Sequence, residues 1–316
     1  MKKSLFMLGL AVAAMTSCSN DELMEVNTNN VITFESHVNK GTRAVADTEN
    51  SKFTKFYVFG YHGSVQDFTN DPVELISDEW TCKEVEWASG NYFFGAYATK
   101  NTSRKLDEES GKEVEFENGE LTFNDFVVSD AEDLVAAIKN VPNTGMTNTN
   151  SAVSLDFKHM LSKIQFVFNN KAKEDLTMDI EDITINVNNT GDCTYDGTDI
   201  TWDDVKNATP LTFAGKTSIA KNTTFTSTDH LVIPGQAIAN IKASFTVTFK
   251  NSSDVTVTTV KYTNVALTGS GAGAITEWEA GKFYKYTADL SPAMPYITFS
   301  PTVVPWEDAT VPYPAI

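Results

Sequence analysis

Short runs of alternating apolar and polar side chains, closed by turn signals, fill most of this chain, and a period of two belongs to strands. Residues 113–117 and 153–159 alternate cleanly, and 53–61 and 92–98 are dense in aromatic strand formers. Further strand-like runs fall at 31–38, 84–87, 121–123, 161–168, 180–187, 200–202, 211–213, 230–233, 241–249, 255–262 and 283–290. Ser89-Gly90-Asn91, Asp196-Gly197 and Asn251-Ser252-Ser253-Asp254 supply tight turns between some of them. Residues 133–137 fit either a strand or a short helical turn. Beyond the first seventeen residues nothing sustains a 3.6-residue period, which excludes helix bundles and strand–helix alternation. The pattern predicts an all-β chain of sandwich type.

The 316 residues, less a leader, allow about two domains, and the Asn-, Thr- and Gly-rich stretch 140–152 is the predicted boundary between them. A hydrophobic content of 41% supports packed cores rather than disorder. Forty-two acidic against 24 basic residues leave a net charge of −18, which repels phosphate backbones and anionic lipid and excludes nucleic acid as a partner. The cysteines are Cys18, Cys82 and Cys193; the last two are expected in different halves and unpaired. No CxxC pair or Cys/His cluster has metal-ligand spacing, so no metal or cofactor is expected.

The first 44 residues carry processing signals. Lys2 and Lys3 precede an uncharged apolar run from Leu5 to Met15, too short to span a bilayer, which reads as a secretory leader over residues 1–17. Met15-Thr16-Ser17-Cys18 resembles a bacterial lipoprotein box, in which Cys18 would take the lipid and become the new N-terminus. Ser19-Asn20-Asp21-Glu22 looks like the export tag of Bacteroidetes surface lipoproteins. In 31–38, Ile32, Phe34, Ser36 and Val38 share one face. Arg43 follows, one of only two arginines (with Arg104) beside 22 lysines. A protease specific for arginine would find few sites here, although from the arginine count alone an ordinary exposed turn residue is the better account of Arg43.

In chain order, the lipoprotein box, Ile32-Thr33-Phe34, Thr42-Arg43-Ala44, Phe56-Tyr57-Val58-Phe59-Gly60 and 157–164 (Phe-Lys-His-Met-Leu-Ser-Lys-Ile) resemble the fimbrillin family, subunits of Bacteroidetes-type (type V) pili. The resemblance spans nearly the whole chain and rests on order and spacing rather than on one motif. It implies two tandem transthyretin-like β-sandwiches of Greek-key type: leader 1–17, propeptide with a removable strand 18–43, N-terminal sandwich 44–151, and C-terminal sandwich with a tail strand 152–316. It also implies an outer-membrane lipoprotein precursor held by lipid at Cys18, cut by an arginine-specific protease between Arg43 and Ala44. The strand bearing Ile32, Phe34, Ser36 and Val38 would then leave, and a C-terminal strand of another fimbrial subunit would fill its place. Candidate donor positions are Val304, Trp306, Val311 and Tyr313.

Pro312 and Pro314, two apart, remove N–H groups from the same side of such a strand. Three readings stay open: 297–306 takes part, the last residues dock differently, or the chain is a tip or accessory subunit. The expected function is a structural fimbrial subunit contributing to adhesion, and the alternative is a surface-anchored lipoprotein or tip adhesin holding a glycan or host protein. An enzyme is not expected: no G-x-S-x-G elbow appears, and 269–273 lacks the context of a phosphate loop. His159 reads as a hydrogen-bonded structural histidine. Trp202, Trp278 and Trp306 read as buried anchors, and the acid-rich 192–204 as a solvated hairpin without EF-hand register.

Overall fold

The computed structural model describes residues 30–38, 53–100, 102–106, 113–142, 152–269 and 274–306. Cys18, Arg43, Ala44, Val311 and Tyr313 lie outside them. The strands are β1 (Phe34–Val38), β2 (Lys55–His62), β3 (Val65–Ile76), β4 (Glu79–Thr81), β5 (Tyr92–Lys100) and β6 (Val114–Glu117). Next come β7 (Glu120–Val127), β8 (Asp133–Val141), β9 (Val153–His159), β10 (Ser162–Asn170), β11 (Thr177–Tyr195) and β12 (Ile200–Phe213). Then follow β13 (Lys216–Ile219), β14 (Thr224–Thr226), β15 (His230–Val232), β16 (Lys242–Lys250), β17 (Thr256–Ala266), β18 (Lys282–Leu290) and β19 (Ser300–Pro305). A 3-10 turn at Ile238–Asn240 is the helical exception among the described residues. The all-β, sandwich-type expectation is met, and 133–137 is a strand.

Three sheets form. The first runs β1-β9-β8-β5-β2-β3-β4, the second β14-β10-β18-β19 with β15 also on β10, and the third β17-β16-β11-β7-β6 with β12 and β13 also on β11. Clean alternation marks strands with one buried face: Ile164, Phe166 and Phe168 of β10 meet Phe245 and Phe249 of β16 and Tyr286 of β18 in one core. β5 is different, because apolar clusters cover both its faces. Tyr92, Phe94 and Ala96 face one cluster and Tyr97 the other. That is why 92–98 reads as a continuous apolar run. Gly95 is required there, since a Cβ would sit 2.5 Å from the Phe116 ring.

β8 and β9, which flank the stretch 140–152, are neighbours in the first sheet. β11 also crosses between halves. Its 19 residues pair with β16 over Thr177–Ile185 and with β7 over Thr190–Tyr195. Residues 200–202 and 211–213 belong to one 14-residue strand, β12.

Candidate functional site

The segment 30–38 occupies a slot with two walls. On one side the Ile32 N–H donates to Val85 O at 2.8 Å, and the Trp87 N–H donates to Asn30 O at 2.8 Å. Asn30 Nδ2 adds a bond to Trp87 O at 3.1 Å. On the other side the Val153 N–H donates to Thr33 O at 2.7 Å, and Phe34–Val38 pairs in parallel with Val153–Phe157. Even-numbered residues therefore turn their backbone groups toward 85–87 and odd-numbered ones toward β9. After Ile32 the segment is, among the described residues, an edge strand paired on one side only.

Its side chains lock it in. Ile32 and Phe34 are buried, Ser36 is half-buried and Glu35 is exposed, so the expected shared face points into the core. The Phe34 ring stands edge-on to Phe56 at 6.1 Å, Phe68 at 5.4 Å and Phe94 at 5.4 Å. Phe94 lies on β5, three positions from β1 in sheet order, about 14 Å away if the sheet were flat. The sheet therefore curls, and β1 and β9 close over β2 and β5. β9 depends on β1: Val153–Phe157 pair with it residue by residue, whereas only Lys158 and His159 pair with β8. Removing 30–38 would leave both walls with unpaired backbone groups and an apolar trough lined by Phe56, Phe68, Phe94 and Trp87.

Two of the candidate donor residues, Val304 and Trp306, are seated in their own subunit. β19 pairs antiparallel with β18, leaving Val304 partly exposed, while Trp306 is buried. The Trp306 N–H donates to Gly281 O at 2.8 Å. Even-numbered residues of this strand thus face β18, and Pro301 and Pro305, which lack an N–H, face outward. That outer edge is poorly suited to accept another strand.

The Trp306 ring stacks on His159 at 3.9 Å and 12°, with Lys163 Nζ 4.4 Å from its centroid. His159 Nδ1 bonds Asp133 at 3.0 Å while its buried Nε2 has no partner, so the histidine is satisfied at one nitrogen only. The structure brings Ile32 and Phe34 together with their walls. It does not gather Val304 and Trp306 into one apolar face.

The remaining candidates read as structural. Trp278 Nε1 donates to Tyr286 Oη at 2.8 Å and Trp202 Nε1 to Met160 O at 2.8 Å. Residues 192–204 form the β11–β12 hairpin; Asp196 Oδ1 accepts the N–H groups of Thr198 and Asp199, which hold its carboxyl below the usual range. Cys82 and Cys193 are free thiols, and burial pushes Cys82 up to about 11. Among the described residues, no cluster of His, Cys, Asp or Glu is placed to hold a metal, and no helix is long and apolar enough to cross a membrane. Sequence reasoning missed the wall at 85–87. The strand-like run 84–87 was visible, but its partner was not.

Residues 42–306 match the family described as fimbrillin-like. No curated protein matches the chain. Among solved structures, a fimbrial protein from Bacteroides vulgatus superposes with a TM-score of 0.60 at 14% identity, over 88% of this chain and 100% of that one. A putative cell adhesion protein from Parabacteroides distasonis gives 0.53 at 12% identity, covering 89% and 97%. Another from Bacteroides uniformis gives 0.52 at 16%, covering 88% and 100%. These likenesses show a shared fold over nearly the whole chain.

Proposed function

The chain belongs to the fimbrillin-like family, and from that premise we propose that it is a structural subunit of a cell-surface fimbria, with a role in adhesion and no catalytic step. The precursor is lipidated at Cys18, carried to the outer membrane and cut between Arg43 and Ala44. The cut frees the segment bearing Ile32, Phe34, Ser36 and Val38, and a neighbouring subunit's C-terminal strand refills its slot. One observation carries this reading: the segment just ahead of Arg43 fills an apolar trough while pairing, among the described residues, along most of its length on one side only. Such a strand can leave without breaking the pairs among β8, β5, β2 and β3, and its loss opens Val153–Phe157 of β9 to a replacement. Each subunit then offers one slot and one strand, a heterologous contact that propagates as a filament.

Arg104, the other arginine, supports a single cut. Its guanidinium bonds Glu132 at 2.7 and 2.9 Å, and its carbonyl accepts from Thr99 Oγ1 at 2.8 Å, so the following peptide bond is held in place. We keep the two-sandwich layout, with β9 assigned to the first.

The prolines of the tail fit this slot in one orientation. With Trp306 seated at home, the donor is drawn from 307–316. In a strand, which way a residue's N–H points and which face its side chain takes are linked by chirality, and reversing the strand within the sheet exchanges the linkage. In β1 the core-facing residues turn their N–H away from β9. A donor running antiparallel to β9 would place Val311 and Tyr313 in the trough with their N–H groups toward β9. Pro312 and Pro314 would then face away from β9, the side on which the segment met a partner only at 85–87 among the described residues.

The test is an arginine-specific protease on the precursor from Ser19 onward, with Arg43→Ala as control, followed by size and N-terminal sequence. Cleavage before Ala44 with ladders of oligomers, absent in the control, supports the proposal. A clean cut leaving stable monomers assigns the chain a tip or accessory role. No cut at Arg43 sinks strand exchange and favours the permanently anchored lipoprotein.

A further inference from the structure

The connection 291–299 between β18 and β19 is pinned at both ends yet holds an aromatic side chain in water. The Met294 N–H bonds Ser291 O at 3.1 Å, and Met294 O accepts from Tyr262 Oη at 2.6 Å. At its far end Phe299 is buried and packs on Phe166 at 5.2 Å. Between these anchors Tyr296 is 87% exposed. A cleft of about 430 Å³ opens beside it, walled by Thr287 and Asp289 of β18 and by Thr298 and Ser300.

The carboxylate of Asp289 is oriented from behind. Thr224 Oγ1 donates to Asn169 Oδ1 at 2.6 Å, and Asn169 Nδ2 donates to Asp289 Oδ1 at 2.7 Å. This relay crosses β14, β10 and β18 and leaves the second carboxylate oxygen available to the cleft.

We propose that this cleft binds a neutral saccharide, the Tyr296 ring lying against the C–H face of a pyranose while Asp289 and the Thr287, Thr298 and Ser300 hydroxyls take its hydroxyl groups. A preformed concavity of this size with a few convergent polar groups suits a small ligand, and tyrosine offers a rigid apolar face with little side-chain entropy to lose. Asp289 and the net charge of −18 disfavour anionic ligands. A cationic peptide would call for several carboxylates, whereas Asp289 is the one carboxylate among the described residues that line this cleft. The inference deepens the adhesion half of the proposed function and rests on that reading for its biological use, but binding is measured on the uncleaved subunit and so stands apart from polymerisation.

The experiment is saturation-transfer NMR and titration of the precursor from Ser19 onward with lactose, cellobiose and chitobiose, and with a lysine-rich peptide for comparison. At least one saccharide is expected to bind. Tyr296→Ala and Asp289→Asn each lose about tenfold in affinity, the loss of one contact, with the fold unchanged. Both variants still form ladders after arginine-specific cleavage if the fimbrial reading holds, so the two proposals fail separately. No saccharide binding, binding that neither variant weakens, or binding of the peptide alone overturns the inference.

Discussion

Replacing Phe34 by alanine tests whether the first strand is held as a separately releasable element. The ring is 3% exposed and meets three phenylalanine rings at 5.4–6.1 Å, so truncation removes nearly all its contacts. Buried Phe→Ala changes cost about 3–5 kcal/mol. Because β1 pairs, among the described residues, with β9 alone, that loss falls first on local opening of the slot rather than on global unfolding. The reporter is the Val153 amide, bonded to Thr33 O and lying in a stretch of β9 that pairs with β1 alone. At about 1.4 kcal/mol per tenfold, its hydrogen exchange should accelerate by roughly two to three and a half orders of magnitude. Phe245→Ala, in the distant core, should leave the Val153 rate unchanged up to the point where the whole chain opens. If Phe34→Ala moves Val153 exchange by less than about threefold while Phe245→Ala moves it more, the slot is not locked by its aromatic plug.

Other outcomes follow from the same contacts. Gly95→Ala drives a methyl group into the Phe116 ring and should cost about 1–3 kcal/mol in a denaturant titration; Phe116→Leu in the same chain should recover some of it. Trp306→Ala empties the site against His159 and Lys163 and should cost about 3–5 kcal/mol, read as a lower unfolding midpoint. Burial pushes the Asp130 carboxyl up, but bonds from His230 and the Leu231 N–H outweigh this and hold it below its ordinary value. Its contribution is therefore present above the unfolded-state pKa and lost as pH falls through the folded one. The stability gap between wild type and Asp130→Asn should accordingly shrink on acidification below about pH 4.

Most strands were legible because they announce themselves locally, whereas β3, β4, β13 and β14 carry no run that stands out in the sequence. Alternation in 153–159 and 241–249, aromatic density in 53–61 and the turns at Gly90 and Gly197 depend only on neighbours in sequence. The buried face of Ile32 and Phe34, the tryptophan anchors and the acidic hairpin could be read in the same way. Tertiary structure alone decided the pairing: β9 beside β1, residues 30–32 against 85–87, and β11 running through both halves. A strand shows which of its faces is apolar, but both of its edges carry the same backbone groups whatever the side chains are. Which distant edge it joins is settled only when the cores pack, and the slot, the seated Trp306 and the cleft beside Tyr296 all depend on that choice.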